Sequence, residues 1–109
     1  MEQPRLFVYG TLRRGSPNKF ADLFHANAQF LGNARMRGRL HQLSSYTGAV
    51  LSEEAGDWVP GELFHLHDPS ILRTLDEYEG AEFERVQITV SLEDGQDLET
   101  WVYVLQQRR

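Results

Sequence analysis

The sequence has 109 residues, of which 40% are hydrophobic and 25% charged, and its formal net charge is -5. These values predict one globular domain over residues 1–109, large enough for a core without disulfide or metal support. The chain contains no cysteine, which excludes disulfides, thiolate metal sites and a cysteine nucleophile. Its acidic balance argues against nucleic-acid and membrane partners, and no segment approaches membrane-spanning length, so we expect a cytoplasmic protein.

The first predicted strand runs directly into a glycine. Residues 6–9 form an apolar and aromatic run, which is typical of a central strand covered on both faces. Tyr9 is followed by Gly10, Thr11 and Leu12, where successive N–H groups left free by the sheet can converge on an anion. The alternative is a plain turn that binds nothing.

A short helix is predicted next, from Ser16 and Pro17 to about His25. Its apolar side is expected to consist of Phe20, Leu23 and Phe24. Residues 28–43 then alternate with a period of two, which predicts a strand.

The two faces of that strand differ in character. Ala34, Met36, Gly38 and Leu40 occupy one face, and Arg35, Arg37, Arg39 and His41 occupy the other. The arginines are either an anion-binding stripe or the solvated face of an edge strand, and the acidic composition favours the second interpretation.

Residues 44–67 are predicted to contain a turn and two strands. The turn spans residues 44–48, a short strand covers residues 49–51, and residues 52–57 are interpreted as a hairpin loop. Residues 58–67 follow as a strand in which Pro60 and Gly61 mark a bulge or an edge. His65 and His67 share one face of it, a spacing compatible with two metal ligands, but no third ligand is evident and structural histidines are more common.

The segment from Asp68 to Gly80 predicts a helix with one carboxylate on its apolar side. Asp68 is a candidate N-cap, and Gly80 suits the residue after the last turn. Glu79 lies four residues after Leu75 and eight after Ile71, so it continues the apolar stripe. Burial and the negative helix terminus both raise a carboxyl pKa, as a general base requires. Alternatively, Glu79 turns outward at a frayed end or pairs with an arginine.

The C-terminal part predicts a β-hairpin. Val86, Ile88, Val90 and Leu92 alternate with polar residues, residues 93–95 supply a turn, and residues 98–105 return as the partner strand.

Four short segments occur in the same chain, in a fixed order along the sequence. They are Phe-Val-Tyr-Gly-Thr-Leu at residues 7–12, Gly-Glu-Leu-Phe at residues 61–64 leading into a helix, Leu-Asp-Glu-Tyr-Glu-Gly at residues 75–80, and Phe83 two residues before Arg85. Over residues 6–104 the chain resembles the gamma-glutamylcyclotransferase family, in its small AIG2-like and gamma-glutamylamine cyclotransferase branch.

The resemblance implies a fold, a reaction and a set of site residues. The fold is α+β, with a mixed sheet curled into a small barrel and about two flanking helices. The reaction converts a γ-glutamyl amine or peptide into 5-oxoproline and a free amine or amino acid, without cofactor or metal. The resemblance implies that Glu79 is the general acid/base. It implies that the backbone N–H groups of residues Tyr9, Gly10, Thr11 and Leu12 bind the γ-glutamyl group, and that Phe83 and Tyr103 line the pocket.

Alternatives remain open at this point. The family usually carries tyrosine where this chain has Phe83, which favours a non-catalytic binding domain that keeps the pocket. Tyr78 and Tyr103 are candidates to supply the missing hydroxyl. Glu82 and Glu84 compete with Glu79 as the acid/base, and a hydrolase with Glu79 and Glu62 as paired carboxylates is a third interpretation. The leaving group and the oligomeric state are not specified by the sequence.

Overall fold

The computed structural model describes residues 4–43 and 47–106. Within these residues the chain forms six strands and two helices. In chain order they are β1 (Arg5–Val8), α1 (Lys19–Ala26), β2 (Ala28–Gln42), β3 (Thr47–Leu51), β4 (Trp58–Leu66), α2 (Ile71–Glu79), β5 (Phe83–Leu92) and β6 (Asp97–Leu105).

The strands form a closed barrel. Their order is β3-β2-β4-β1-β6-β5, and a further pairing of β2 with β5 closes the ring over two residue pairs. Five strands therefore make the barrel, and β3 lies outside it against the end of β2. The β1–β6 pairing is parallel and the others are antiparallel, so the predicted α+β fold with a mixed, barrel-forming sheet and two helices is confirmed.

Two hydrophobic clusters hold this arrangement together. One fills the barrel and includes Phe7, Met36, Leu63 and Val102, each at most 1% exposed. The other lies between the outer face of the barrel and the two helices; among its members are Leu6, Phe24, Phe64 and Leu75. Because successive residues of a strand point to opposite faces, Leu6 and Phe7 serve different clusters, which explains the uninterrupted apolar run of β1.

Helix α1 is shorter than predicted and buries a different face. It begins at Lys19, because the Asn18 side chain caps it by accepting a hydrogen bond of 2.7 Å from the Ala21 N–H. Phe24 is fully buried as expected. Phe20 and Leu23 are 39% and 43% exposed, so the expectation that both belong to the apolar side was wrong. The buried partner of Phe24 is Ala21, which allows close approach to the barrel.

Strand β2 confirms the predicted alternation up to Gly38. Leu40, expected on the buried face, is 48% exposed because β2 extends there beyond the barrel. The guanidinium groups of Arg35 and Arg37 lie over the Trp58 ring, 3.9 Å and 5.3 Å from its centre. Arg39 forms an ion pair of 2.9 Å with Asp57, so the arginine face is a solvated, internally paired surface. The expectation of an edge strand was wrong, because β2 lies between β3 and β4.

The connection between β3 and β4 was wrongly predicted as a hairpin loop. Both strands pair with β2, and residues 52–57 cross from one to the other. The turn predicted at residues 44–48 lies largely outside the described residues, since residues 44–46 are not described.

Pro60 and Gly61 mark neither a bulge nor an edge strand, because β4 lies between β2 and β1. Proline is tolerated there because the β1 pairing reaches only to Glu62 and leaves Pro60 beyond its end. The irregularity lies in β2 instead, between Phe30 and Gly32. Residues 61–64 lie within β4 and precede the second helix by six residues.

Helix α2 begins later than predicted. The Asp68 carboxylate accepts a hydrogen bond of 3.0 Å from the Ser70 N–H, so it stabilises the turn before the helix instead of capping it. Gly80, with φ of +84°, follows the last helical residue as expected. The β5–β6 hairpin is confirmed, with Gly95 in its turn at φ of +92°. Among the described residues, no helix is long and apolar enough to cross a membrane.

The close approach of β1 to β4 yields a stability prediction at Gly61. A Cβ at this position would meet the Val8 carbonyl oxygen and lie 2.6 Å from the Phe7 ring, so Gly61→Ala should lower the free energy of unfolding by about 1–3 kcal/mol. Gly10→Ala is the control, because a Cβ there meets nothing within 4 Å. Urea denaturation measures both. Equal stability of the two variants would contradict the close packing of β1 on β4.

Candidate active site

One cavity is lined by all the site residues that the family resemblance implies. Its volume is about 920 Å³, and it lies between the loop after β1, the C-terminal end of α2 and the ends of β2, β3 and β6. The predicted residues in its wall are Tyr9, Gly10, Thr11, Leu12, Glu79, Phe83 and Tyr103. Other wall residues include Arg13, Leu40, Gln42, Thr47, Tyr78 and Glu82.

Glu79 enters this cavity because of the face that α2 buries. Ile71, Leu72 and Leu75 pack against the barrel and are at most 7% exposed. Glu79 is one turn beyond Leu75 and is therefore carried to the same side, where it is partly buried. Loss of hydration raises the pKa of Glu79 from 4.5 to about 7.

The carboxylate of Glu79 makes no hydrogen bond or ion pair with any described residue. The interpretation in which it pairs with an arginine is therefore wrong for the described part of the chain. Arg85 binds Asp76 instead, through two hydrogen bonds of 2.8 Å and 3.1 Å. This hydrogen bonding to Arg85 is the largest of the effects that lower the pKa of Asp76 below its ordinary value. An unpaired, poorly hydrated carboxyl can both accept and release a proton near neutral pH.

The loop after β1 exposes backbone donors. Its carbonyl groups are engaged, since Gly10 O accepts from Arg13 N–H at 3.1 Å and Thr11 O accepts from the Asn18 side-chain amide at 2.8 Å. The N–H groups of Gly10, Thr11 and Leu12 donate to no acceptor among the described residues. Leu12 is 2% exposed and anchors the loop in the core. The result is a short segment with free donors beside an acidic side chain.

Two tyrosines of the wall use their hydroxyl groups for structure. Tyr9 donates to the Tyr103 carbonyl oxygen at 2.6 Å and accepts from the Ala49 N–H at 2.9 Å. Tyr103 donates to Asp76 at 2.6 Å. Burial raises the pKa of Tyr9 to about 12 and raises the pKa of Tyr103 as well, so both phenols are neutral at physiological pH. Tyr78 and Tyr103 are the candidates to supply the hydroxyl that Phe83 lacks. The hydroxyl of Tyr103 already donates to Asp76 and is therefore not free for a ligand.

Tyr78 provides the other wall hydroxyl. It shares a hydrogen bond of 2.6 Å with the side chain of Thr11, which also lines the cavity. Phe83 is half-buried in the wall and brings an apolar surface to it.

The competing carboxylates are distributed differently. Glu82 lines the cavity and is exposed, whereas Glu84 is not part of its wall. Glu62 lines a separate cavity, where it accepts hydrogen bonds from the Arg14 backbone and side chain. Glu62 and Glu79 therefore do not face one another across a shared site, which removes the geometric basis for a hydrolase with these paired carboxylates.

His65 and His67 lie away from this cavity. Their rings are 5.6 Å apart. Throughout residues 4–43 and 47–106, no three histidine, aspartate or glutamate side chains converge in a way that could hold a metal ion.

Several residues at the site were not identified from the sequence. Ser16 and Pro17 resemble a helix start more closely than Asn18 does, although asparagine before an apolar run is itself a capping signal and Asn18 is the N-cap of α1. Gln42 and Thr47, which share a hydrogen bond of 2.6 Å, had no local signal. They reach the cavity only because β2 and β3 extend past the barrel.

A family model matches this chain, and several known proteins are similar to it. A family model described as gamma-glutamyl cyclotransferase, AIG2-like, matches residues 6–109. A gamma-glutamylaminecyclotransferase of Bos taurus is 35% identical over 111 residues, covering 90% of this chain and 63% of the bovine protein. A putative gamma-glutamylcyclotransferase of Methanocaldococcus jannaschii is 26% identical over 100 residues, covering 90% of this chain and 81% of that protein.

Solved structures share the fold. An AIG2-like protein of Mus musculus superposes with a TM-score of 0.75 at 28% identity, covering all of this chain and 81% of the mouse chain. YkqA of Bacillus subtilis superposes with a TM-score of 0.78 at 24% identity, covering 96% of this chain and 36% of that chain.

The fold and the cavity define a small α+β barrel protein with an acidic pocket at one end. The chain belongs to the gamma-glutamyl cyclotransferase, AIG2-like family, and the resemblance seen in its sequence motifs is confirmed.

The raised pKa of Glu79 predicts how stability depends on pH. The folded protein binds the Glu79 proton more tightly than the unfolded chain does. Protonation of Glu79 therefore adds to the free energy of unfolding below the unfolded pKa of 4.5, and this stabilisation is lost as pH rises through about 7. Relative to Glu79→Gln, which cannot ionise, the wild type should lose up to about 3 kcal/mol of unfolding free energy over this range. Urea denaturation at a series of pH values measures it. Glu77→Gln, an exposed change on the same helix, should follow the wild type, and parallel curves for all three proteins would refute a raised pKa.

Proposed function

We propose that this chain catalyses intramolecular cyclisation of a γ-glutamyl amine or peptide, releasing 5-oxoproline and a free amine or amino acid. The observation that supports it most strongly is the unpaired carboxyl of Glu79, with its pKa raised to about 7, in the same cavity as the free backbone donors of the loop after β1. Family membership favours the same reaction type.

The chemistry asks little of the protein beyond orientation and proton transfer. The α-amino nitrogen of the substrate forms a bond to its own γ-carbonyl carbon, and the bond from that carbon to the leaving nitrogen breaks. Because nucleophile and electrophile belong to one molecule, holding a folded conformer supplies most of the rate gain. The side chains of Phe83 and Tyr103, which line the cavity, can pack against such a compact conformer.

Glu79 performs the proton transfers in this proposal. Its carboxylate removes a proton from the substrate ammonium, which exposes the nitrogen lone pair, and releases that proton to solvent. Once the ring bond has formed, Glu79 takes the second proton from the same nitrogen and returns it to the leaving nitrogen. A group whose pKa lies near the working pH is suited to both steps. Burial raises this pKa without a contribution from a neighbouring charge, so the proton affinity of Glu79 depends on the exclusion of water from its carboxyl group.

The loop donors stabilise negative charge. The N–H groups of Gly10, Thr11 and Leu12 bind either the substrate carboxylate or the oxyanion that develops on the γ-carbonyl oxygen. Free donors in a partly dry cavity are worth more than donors in water, because no solvent has to reorganise during the reaction.

A γ-glutamyl amine is the first candidate for the substrate. The bovine relative carries the name gamma-glutamylaminecyclotransferase, and it is 35% identical to this chain. This chain spans 63% of that protein, so the leaving group is assigned here by analogy alone.

A second candidate function is ligand binding without turnover. The wall contains Phe83, which has no hydroxyl, and the hydroxyls of Tyr9 and Tyr103 are engaged by the protein. A pocket of this kind would still bind a small carboxylate through the loop donors.

Substitution of the acid/base is the direct test of the catalytic role. Glu79→Gln keeps the shape of the side chain and removes its basicity, and should lower the rate of 5-oxoproline formation by about 10²–10⁴-fold. Glu77→Gln is the matched control and should retain wild-type activity. In the wild type, kcat/KM should increase as pH rises through about 7, the pKa of Glu79 in the free protein. Full activity of Glu79→Gln would exclude Glu79 as the acid/base.

Product analysis separates enzyme from binding domain. The protein is incubated with a γ-glutamyl amine and with a γ-glutamyl dipeptide, and 5-oxoproline is detected by mass spectrometry. We expect 5-oxoproline from at least one substrate, and faster from the amine. Calorimetric binding of both compounds with no product from either would favour the binding domain instead.

A further inference from the structure

Thr11 of the loop after β1 forms hydrogen bonds toward both helices. Its carbonyl oxygen accepts a hydrogen bond of 2.8 Å from the Asn18 side chain, at the start of α1. Its hydroxyl shares a hydrogen bond of 2.6 Å with Tyr78, near the end of α2. Neither contact uses a backbone N–H of the loop, so both orient its peptide units while leaving the donors free.

The Asn18 side-chain amide connects the first turn of α1 to the loop after β1. Its oxygen caps α1 by accepting from Ala21 N–H at 2.7 Å, and its nitrogen donates to Thr11. The cap fixes the side-chain conformation, so the second bond forms without further loss of rotamer freedom. The orientation of the Thr11–Leu12 peptide unit is thereby linked to the packed body of α1.

Tyr78 connects the loop to the acid/base. It precedes Glu79 in α2, and its ring lies 4.4 Å from the Phe20 ring of α1, centre to centre. That stacking restrains the phenol whose hydroxyl reaches Thr11. The distance between the loop donors and the Glu79 carboxyl therefore depends on a short connection of two side chains.

We infer that Asn18 and Tyr78 are positioning residues that hold the donors of the loop in register with Glu79. This inference rests on the proposed function, because it assigns those donors to a substrate. Neither residue takes part in proton transfer in this scheme. Each acts through Thr11.

Two substitutions at Asn18 separate positioning from helix capping. Asn18→Ser and Asn18→Asp both keep a good N-cap. Aspartate has no donor for the Thr11 carbonyl oxygen, and the serine hydroxyl lies one atom closer to the backbone than the amide nitrogen, so neither reproduces the bond. For Asn18→Ser we expect kcat/KM to fall about 5- to 10-fold, the effect of one lost hydrogen bond, with the folded fraction unchanged. Asn18→Asp should fall further, because it adds an anion beside an anion-binding loop.

The control is the same exchange at the other end of the helix. Asn27→Ser removes an amide that donates to the Leu23 carbonyl oxygen at 2.9 Å, remote from the loop, and should keep wild-type kcat/KM. The midpoint of the pH profile should also be unchanged in Asn18→Ser, since the burial of Glu79 is intact. A midpoint shifted toward lower pH would mean that water has entered the cavity, and would overturn a pure positioning role.

The second connection is tested at its two ends. Tyr78→Phe keeps the ring against Phe20 and removes the hydroxyl, and Thr11→Val removes the other partner. Because both lose one and the same bond, we expect equal falls in kcat/KM and no additional loss in the double variant. Thr11→Ser, which retains a hydroxyl, should restore most of the activity. Additive losses would overturn the inference for Tyr78.

An independent readout distinguishes failure of this inference from failure of the proposed function. Order parameters of the Gly10, Thr11 and Leu12 amides, from ¹⁵N relaxation, should fall in Asn18→Ser and not in Asn27→Ser. If the wild type forms no 5-oxoproline but these order parameters fall, the proposed reaction fails and the positioning role stands. If the order parameters and kcat/KM of Asn18→Ser equal those of the wild type, the positioning role is refuted while the reaction stands.

Discussion

The loss of hydration around one carboxyl, that of Glu79, is the physical condition on which this site depends. It arises because α2 buries Ile71, Leu72 and Leu75 against the barrel and carries Glu79 to the same side one turn later. The helix then ends at Gly80, so the carboxyl remains at the wall of the cavity. No neighbouring charge is needed to raise its pKa, because burial alone disfavours the ionised form.

The polar groups around Glu79 are mostly committed to one another. Arg85 and Tyr103 both bind Asp76, the Tyr103 carbonyl oxygen accepts from Tyr9, and Tyr9 accepts from the Ala49 N–H. This chain of contacts joins α2 to β3, β5, β6 and the end of β1. Its members cost little to bury, because each is satisfied. The groups left available to a ligand therefore include the Glu79 carboxyl and the loop donors, together with the exposed side chain of Glu82.

The barrel topology explains why these atoms meet at one end. Strand β1 is short and is flanked by β4 and β6, so the chain leaves the sheet at Val8 and turns beneath both helices. Strands β2 and β3 extend past the barrel on the opposite side of the cavity and add Leu40, Gln42 and Thr47 to its wall. Conserving the barrel while altering that extension would change the walls of the pocket without disturbing Glu79.

The sequence by itself determined the features that depend on neighbours along the chain. The period of α2 predicts an inward Glu79, the alternation around Val90 predicts the β5–β6 hairpin, and the glycine after Tyr9 predicts a loop with free donors. Only the tertiary structure decided the rest. The pairing of β3 and β4 with the same strand, the exposure of Phe20 and the contact of Thr11 with Tyr78, 67 residues away, depend on how the barrel closes. Local periodicity carries no information on that closure, because it specifies which face of an element is buried but not which element covers it.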